Sequence, residues 1–282
     1  MPAMIRPCGK RLVTRCILLV TVLMLGVVME DMIAQENPTD PVTVSVLTFN
    51  ILHGATMRQD FDLDVIARVI NDAQPDLVAL QEVDYLTGRT GRLDLVTELA
   101  LRTSMTSLFA RAMPYDGGEY GEGILSRTTF VATRNIPLPC LPGHEPRAAA
   151  VITTVLPSGD TIAFVGTHLA HEGEEDRLLQ AKALVDATAD IPWPVILAGD
   201  LNDVPGSPTM QIIEAAFTAT YHRSAPEPTF PSHTPQKKID YILYAPAHRW
   251  EVVETSVIAD TIASDHCAYQ AILRLLPPPP RD

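Results

Sequence analysis

Residues 196–203 read ILAGDLND: an apolar run enters Gly199 and is followed at once by Asp200, Leu201, Asn202 and Asp203. The run suits a strand buried on both faces. Side chains two positions apart on an extended chain share a face, so Asp200 and Asn202 would reach one spot together at the strand's carboxyl end. The plainer reading is turn chemistry, with Asp203 and Pro205 just downstream.

Outward from this strand the same pattern recurs. Apolar, β-rich runs occupy 44–51, 76–83, 123–127, 149–156, 161–169, 239–244 and 268–275, while helical periodicity marks 62–73, 93–102, 174–188 and 207–217. Strands separated by a helix favour parallel pairing; the closely spaced strands from 123 to 169 favour antiparallel hairpins. An α/β protein with mixed sheets and outer helices accommodates both.

Polar residues collect where these strands end. Asn50 and His53 follow the first run, Glu82 lies in the second, and Thr167-His168 closes the run at 161–169. Asp240 opens IDYILY, and Ser264-Asp265-His266 precedes the last run. Unpaired charge in an apolar run is costly, so each such group needs a partner or a metal. A single one is commonly structural, but six at the ends of different strands point to a site, which α/β folds place there. Glu82, Asp265 and Asn50 offer hard oxygen donors, suited to Mg²⁺ with Mn²⁺ or Ca²⁺ as alternatives. His168 and His266 would then be free to contact a substrate oxyanion, which outlines a phosphoester site.

The first 34 residues differ in kind. Arg6, Lys10, Arg11 and Arg15 precede the apolar run CILLVTVLMLGVVM (16–29), shorter than the roughly 20 residues that span a bilayer. This reads as a secretory signal peptide, with an uncleaved membrane anchor as the alternative; either way the protein is exported. Residues 35–42 read as a linker, 43–275 as one domain, and 276–282 as a Pro-rich tail. Residues 1–34 hold four basic and two acidic side chains, so the chain's net charge of −13 becomes −15 without them. That balance disfavours nucleic acid as a partner without excluding it, because a bound divalent cation inverts the local field. Two cysteines remain beyond residue 34, Cys140 and Cys267, which either pair or stay as separate thiols.

TFNILHG (48–54), LQEVD (80–84), YGEGILSR (120–127), THL (167–169), GDLND (199–203), KKIDYIL (237–243) and SDH (264–266) occur in the order found in the endonuclease/exonuclease/phosphatase superfamily, the group of deoxyribonuclease I. Within it, TGRTGRLD (87–94), HEPRAA (144–149) and TFPSHTPQKKIDYI (229–242) resemble the bacterial metal-dependent hydrolase branch. The resemblance covers residues 43–275 and implies a four-layer sandwich of two mixed β-sheets flanked by helices. It implies Glu82 as the main metal ligand, completed by Asp265 and by Asn50 directly or through water. Asp200 would orient or deprotonate the attacking water, and Asn202 would hold the phosphoryl oxygen or fix Asp200. His266 would donate to that oxygen with Asp240 setting its tautomer, and His168 would take the second phosphate-contacting position. Glu122 departs from the amide expected there; it either pairs with His168 or alters substrate preference.

Weaker substrate contacts are His53, Arg89 and Arg147, with Arg92 and Arg177 as further guanidinium candidates. Lys237 and Lys238 read as solvated. The activity implied is hydrolysis of a phosphodiester (nucleic acid, lipid headgroup or small molecule) by in-line attack of water. The alternatives are a phosphomonoesterase on sugar or inositol phosphates and a non-catalytic binding module. No long basic insertion or aromatic hairpin is present for gripping a duplex or entering a bilayer, which favours accessible substrates. No protein partner is implied.

Overall fold

A computed structural model of the chain describes residues 42–279. The expected leader, the linker before residue 42 and the last three residues of the tail lie outside them; Leu276–Pro279 form neither helix nor strand.

Two six-stranded mixed sheets make up the centre. The first runs, edge to edge, β11 (Trp250–Ile258), β12 (Ala268–Leu275), β1 (Thr43–Asn50), β2 (Leu77–Tyr85), β4 (Gly118–Ser126) and β3 (Thr106–Tyr115). The second runs β5 (Phe130–Leu138), β6 (Arg147–Val155), β7 (Thr161–His168), β8 (Val195–Asp200), β10 (Asp240–Ala245) and β9 (Thr218–Ala219). Each sheet has a single parallel pair near its middle, β1 with β2 and β7 with β8; every other pairing is antiparallel. This is the expected pair of mixed sheets, and the periodic segments all became helices: α1 (Leu63–Ala73), α2 (Leu95–Thr103), α3 (Glu174–Ala189) and α4 (Pro208–Ala216). Asp62, Asp94 and Ser207 cap α1, α2 and α4 through side-chain oxygens.

Alternation along the strands sorts the layers. On β1, Leu47 and Phe49 pack with Leu63, Ile66 and Ile70 of α1 and Leu99 of α2, while Val44 and Val46 face the other sheet. Ala181 and Leu184 of α3 and Met210 and Ile213 of α4 join the larger core built around the second sheet. The sheets approach closely at small residues: a Cβ on Gly166 would lie 3.3 Å from that of Ala79. Residues of even number on β1, β7, β8 and β10 therefore look into the interface between sheets. Asn50, His168, Asp200 and Asp240 all fall on this inner face, at one end of the sandwich.

Candidate active site

Register brings the second sheet's polar groups together. His168 lies opposite Asp200 in the parallel ladder, and Asp240 lies opposite Asp200 in the antiparallel one. Gly199 makes this possible, since a Cβ there would sit 2.0 Å from the Thr167 carbonyl oxygen. The strand ends at Asp200, and Asn202 lies beyond it in a left-handed turn at φ 51°. The expectation that one extended chain aims both groups is therefore corrected. Asp200 Oδ1 accepts from the Asn202 amide at 2.9 Å, so the carboxylate itself folds the turn, and the Asn202 side chain then swings back to His168 Nε2 at 2.9 Å and the Leu169 carbonyl at 3.0 Å. Both readings of ILAGDLND hold in part: it is a turn, and it delivers both groups to one place.

From the first sheet, Asn50 Nδ2 donates to Glu82 Oε1 at 3.0 Å and to Asp200 Oδ2 at 3.3 Å. Glu82 reaches this point through a bulge. The β2–β4 register shifts between Leu80 and Val83, and Glu82 sits at φ 59°. Gln81 and Glu82 consequently both turn inward, while Leu80 and Val83 keep their places against the helices. A left-handed backbone costs a non-glycine residue about 1–2 kcal/mol, and such strain concentrates at functional positions. His53, also left-handed at φ 47°, places Nδ1 3.6 Å from Glu82 Oε2. Ser264 Oγ ties the loop before β12 to β1 by donating to the Asn50 carbonyl at 2.6 Å, and it accepts from the His266 amide at 3.2 Å.

The electrostatics separate the groups by role. Asp200 and Asp240 are fully buried neighbours, and burial followed by the Asp240 charge pushes Asp200 up to about 7. Burial opposes a charged His266, but the Asp240 and Asp200 carboxylates overcome it and hold the imidazole protonated up to about 10. Its Nδ1 donates to Asp240 at 3.0 and 3.1 Å, and its Nε2 lies 3.6 Å from Asp200 Oδ2. His168 is the opposite case: burial first, then the Arg147 charge, keep it neutral. Arg147 Nη1, 3.2 Å from Nδ1, and Asn202 Nδ2, 2.9 Å from Nε2, are both donors, and a neutral ring accepts at only one nitrogen, so the two contacts call for opposite tautomers. Burial also works against ionised Glu82, yet the His53 contact, nearby histidines and the Asn50 bond bring it down to about 2.

An open cavity of about 360 Å³ lies over these groups, with Glu82, Asp200, Asn202, Asp265, His266 and His168 in its wall. Ionised Glu82 and the oxygens of Asp265 fit a hard divalent cation, whereas Asn50 turns Nδ2 toward Glu82 and its Oδ1 accepts from the Leu52 amide at 3.1 Å. Asp200, Asp240 and His266 also lie close enough together to hold a metal. However, both Asp240 oxygens already accept from Nδ1, and a protonated imidazole has no lone pair to give.

Of the weaker candidates, His53, Arg89 and Arg147 line the cavity. Arg89 is held bidentately by the buried Asp84 at 2.6 and 2.7 Å and lies 4.5 Å over the Tyr115 ring. Arg92 instead clamps the loop, donating to the Leu86 and Gly117 carbonyls. Glu122 lies on inner strand β4, fully buried and outside the cavity wall, with neither carboxylate oxygen bonded among the described residues. Direct substrate contact by Glu122 and its pairing with His168 are thus corrected: Arg147 occupies the His168 nitrogen instead. Burial raises Glu122 well above the usual carboxylate value; the Arg147 charge opposes this and the Glu82 and Asp200 charges add to it. Lys238 is also corrected. It is buried, with Nζ 3.0 Å from the Tyr269 ring centroid, and burial brings it down to about 7; Lys237 is exposed as expected. Among the described residues Cys140 and Cys267 are separate thiols and do not pair with each other.

Tyr115, Tyr120, Glu145, His171 and Phe230 also line the cavity, although sequence reasoning did not single them out. Three lay inside motifs that had been recognised: Tyr120 in YGEGILSR, Glu145 in HEPRAA and Phe230 in TFPSHT. Phe230 packs on the His266 ring at 4.8 Å.

Two sheets with helices outside, and an acid–amide–imidazole cluster where the strands of both sheets end, define the class of phosphoester-hydrolase sandwiches. The chain belongs to the endonuclease/exonuclease/phosphatase family, whose sequence profile matches residues 47–266. Among solved structures it is similar to an endonuclease/exonuclease/phosphatase from Beutenbergia cavernae, 26% identical with a TM-score of 0.70, over 83% of this chain and 72% of that one. It is also similar in fold to the Bacteroides thetaiotaomicron mannosyl-6-phosphatase (18% identity, TM-score 0.67, 82% and 99% of the two chains). The human Nocturnin catalytic domain with bound sulfate gives 19% identity and a TM-score of 0.65 over 83% and 95%. No curated protein matches the chain.

Proposed function

We propose that this protein is an exported, divalent-metal-dependent phosphoesterase that hydrolyses a phosphodiester by in-line attack of water. The observation that carries the reading is the Asn50 amide, bonded at once to Glu82 and to Asp200. It brings a permanently ionised carboxylate and a buried carboxylate of raised pKa to one point.

Glu82, Asp265 and Asn50 would hold the cation, which supplies charge stabilisation to the phosphoryl group and the leaving oxygen. Asp200, once ionised, takes a proton from water held in the cavity. His266, kept cationic by Asp240, donates from Nε2 to a phosphoryl oxygen, and neutral His168 lies on the same side. Asn202 fixes His168 through its side-chain amide. These donors are built into strand ends and need no reorganisation as charge develops.

His266 lines two adjoining cavities, which supports a substrate with two substituents on phosphorus. The leader motif of residues 1–34 supports export. Assay of bis-p-nitrophenyl phosphate against p-nitrophenyl phosphate, with and without chelator, tests the reading. Metal-dependent turnover faster on the diester is expected; turnover of neither compound would refute it.

A further inference from the structure

On the far side of Phe230 the cleft continues into a second lobe of about 360 Å³, sharing His171, Asn202, Phe230 and His266 with the first and bounded by Arg177, Asp203 and Lys237. The two lobes differ in charge. Glu82, Glu145, Asp200 and Asp265 line the first together with Arg89 and Arg147, whereas Asp203 is the one carboxylate lining the second, beside Arg177 and Lys237. In a chain of net charge −13, a cavity wall where cations outnumber anions stands apart from the rest.

Arg177 is a positioned cation rather than a loose surface group. Its Nη1 donates to the Ala170 and His171 carbonyls, each at 3.1 Å, and its Nε lies 3.3 Å from Asp203 Oδ2. The side chain is 14% exposed, and Nη2 has no partner among the described residues. Lys237 enters from the segment before β10, exposed and without an ion pair among the described residues. Against them stands Glu172, 3.5 Å from His171 Nε2, which is 87% exposed and therefore well screened.

We propose that this lobe receives a second phosphate-type anion of the substrate, a short distance beyond the scissile phosphorus. The inference rests on the phosphoester reading and narrows its substrate class to molecules with two anionic groups. Guanidinium and ammonium donors converging on a partly enclosed wall recognise phosphate oxygens through charge-assisted hydrogen bonds. In the first lobe four carboxylates outnumber Arg89 and Arg147, which makes it the less favourable place for a second anion.

Calorimetric titration of the full-length protein in Mg²⁺ with propyl phosphate and with a series of alkanediol bisphosphates of graded length tests this. The best-fitting bisphosphate is expected to bind about tenfold more tightly than the monophosphate. Lys237→Glu, at an exposed position that cannot unfold the chain, is expected to erase that gain while changing monophosphate affinity less than about twofold. Arg177→Gln should reduce the gain in the same direction. A bisphosphate no tighter than propyl phosphate at every length, no binding of either probe, or a gain that survives both substitutions would overturn the proposal. A preserved bisphosphate preference without turnover of bis-p-nitrophenyl phosphate would count against the phosphoester reading alone.

Discussion

Asn50 Nδ2 lies 3.3 Å from Asp200 Oδ2, a contact between the two sheets made by residues 150 positions apart in sequence. The same oxygen has His168 Nε2 at 3.5 Å and His266 Nε2 at 3.6 Å. Nitrogens from β1, from β7 and from the loop before β12 thus surround one buried carboxylate. Asp240, directly opposite in the ladder, would be a destabilising like charge. The His266 imidazolium between the two carboxylates offsets it.

Asp200→Asn and His266→Ala should each lower kcat by about 10²–10³-fold or more, the range for losing a positioned acid, base or oxyanion donor. Circular dichroism should show both variants folded. Near-normal rates in both would contradict the assigned roles.

The pH dependence follows from the same two groups. Asp200 must be ionised to accept a proton, so kcat/KM should rise with pH through about 7, where burial and Asp240 place it. His266 must be protonated to donate, and its raised value keeps it so until about 10, above which the rate should fall. A rate already flat below pH 5 would show that Asp200 is not the proton acceptor.

Glu122 bears on stability. Its folded pKa is raised above the unfolded value, so the native state binds more protons and stability is lost as pH rises above about 4.5. Glu122→Gln keeps the shape without the ionisation. It should be more stable than the parent at pH 7 by about 1 kcal/mol or more, with the difference shrinking toward pH 4. Equal thermal melts at both pH values would show that the carboxyl has a partner.

The fold was legible in its interior and illegible at its edges. The strands missed in sequence, β3, β5, β9 and β11, are the four edge strands of the two sheets. Covered strands such as VILAGD show a continuous apolar run, whereas FVATRNIPL is largely exposed, WEVVETSVI is mostly only half-buried, and both carry charge or proline, as unpaired edges do. The site was readable for a related reason: polar residues are conspicuous at the ends of apolar runs. The bulge at Glu82 was not readable, because it depends on a left-handed backbone set by the pairing of β2 with β4. The turn at Asn202 was readable as a turn, but not the way its side chain swings back to His168. Lys238 was misread because nothing local signals that two tyrosine rings will cover it.

Asp84 and Arg89 form a pair whose carboxylate is buried while the guanidinium is 30% exposed. Arg89→Met leaves Asp84 charged and without its main partner, so it should cost about 2 kcal/mol, less than the cost of breaking a fully buried pair. Adding Asp84→Asn should recover part of that loss. If chemical denaturation shows the double variant losing the sum of the single costs, the two residues do not interact.

Anomalous diffraction from crystals soaked in Mn²⁺ decides where the cation sits. A single strong peak within coordination distance of Glu82, with Asp265 or Asn50 adjacent and the Asp240–His266 hydrogen bonds intact, is the predicted result. A peak held by Asp200, Asp240 and His266, with Glu82 uninvolved, would contradict it.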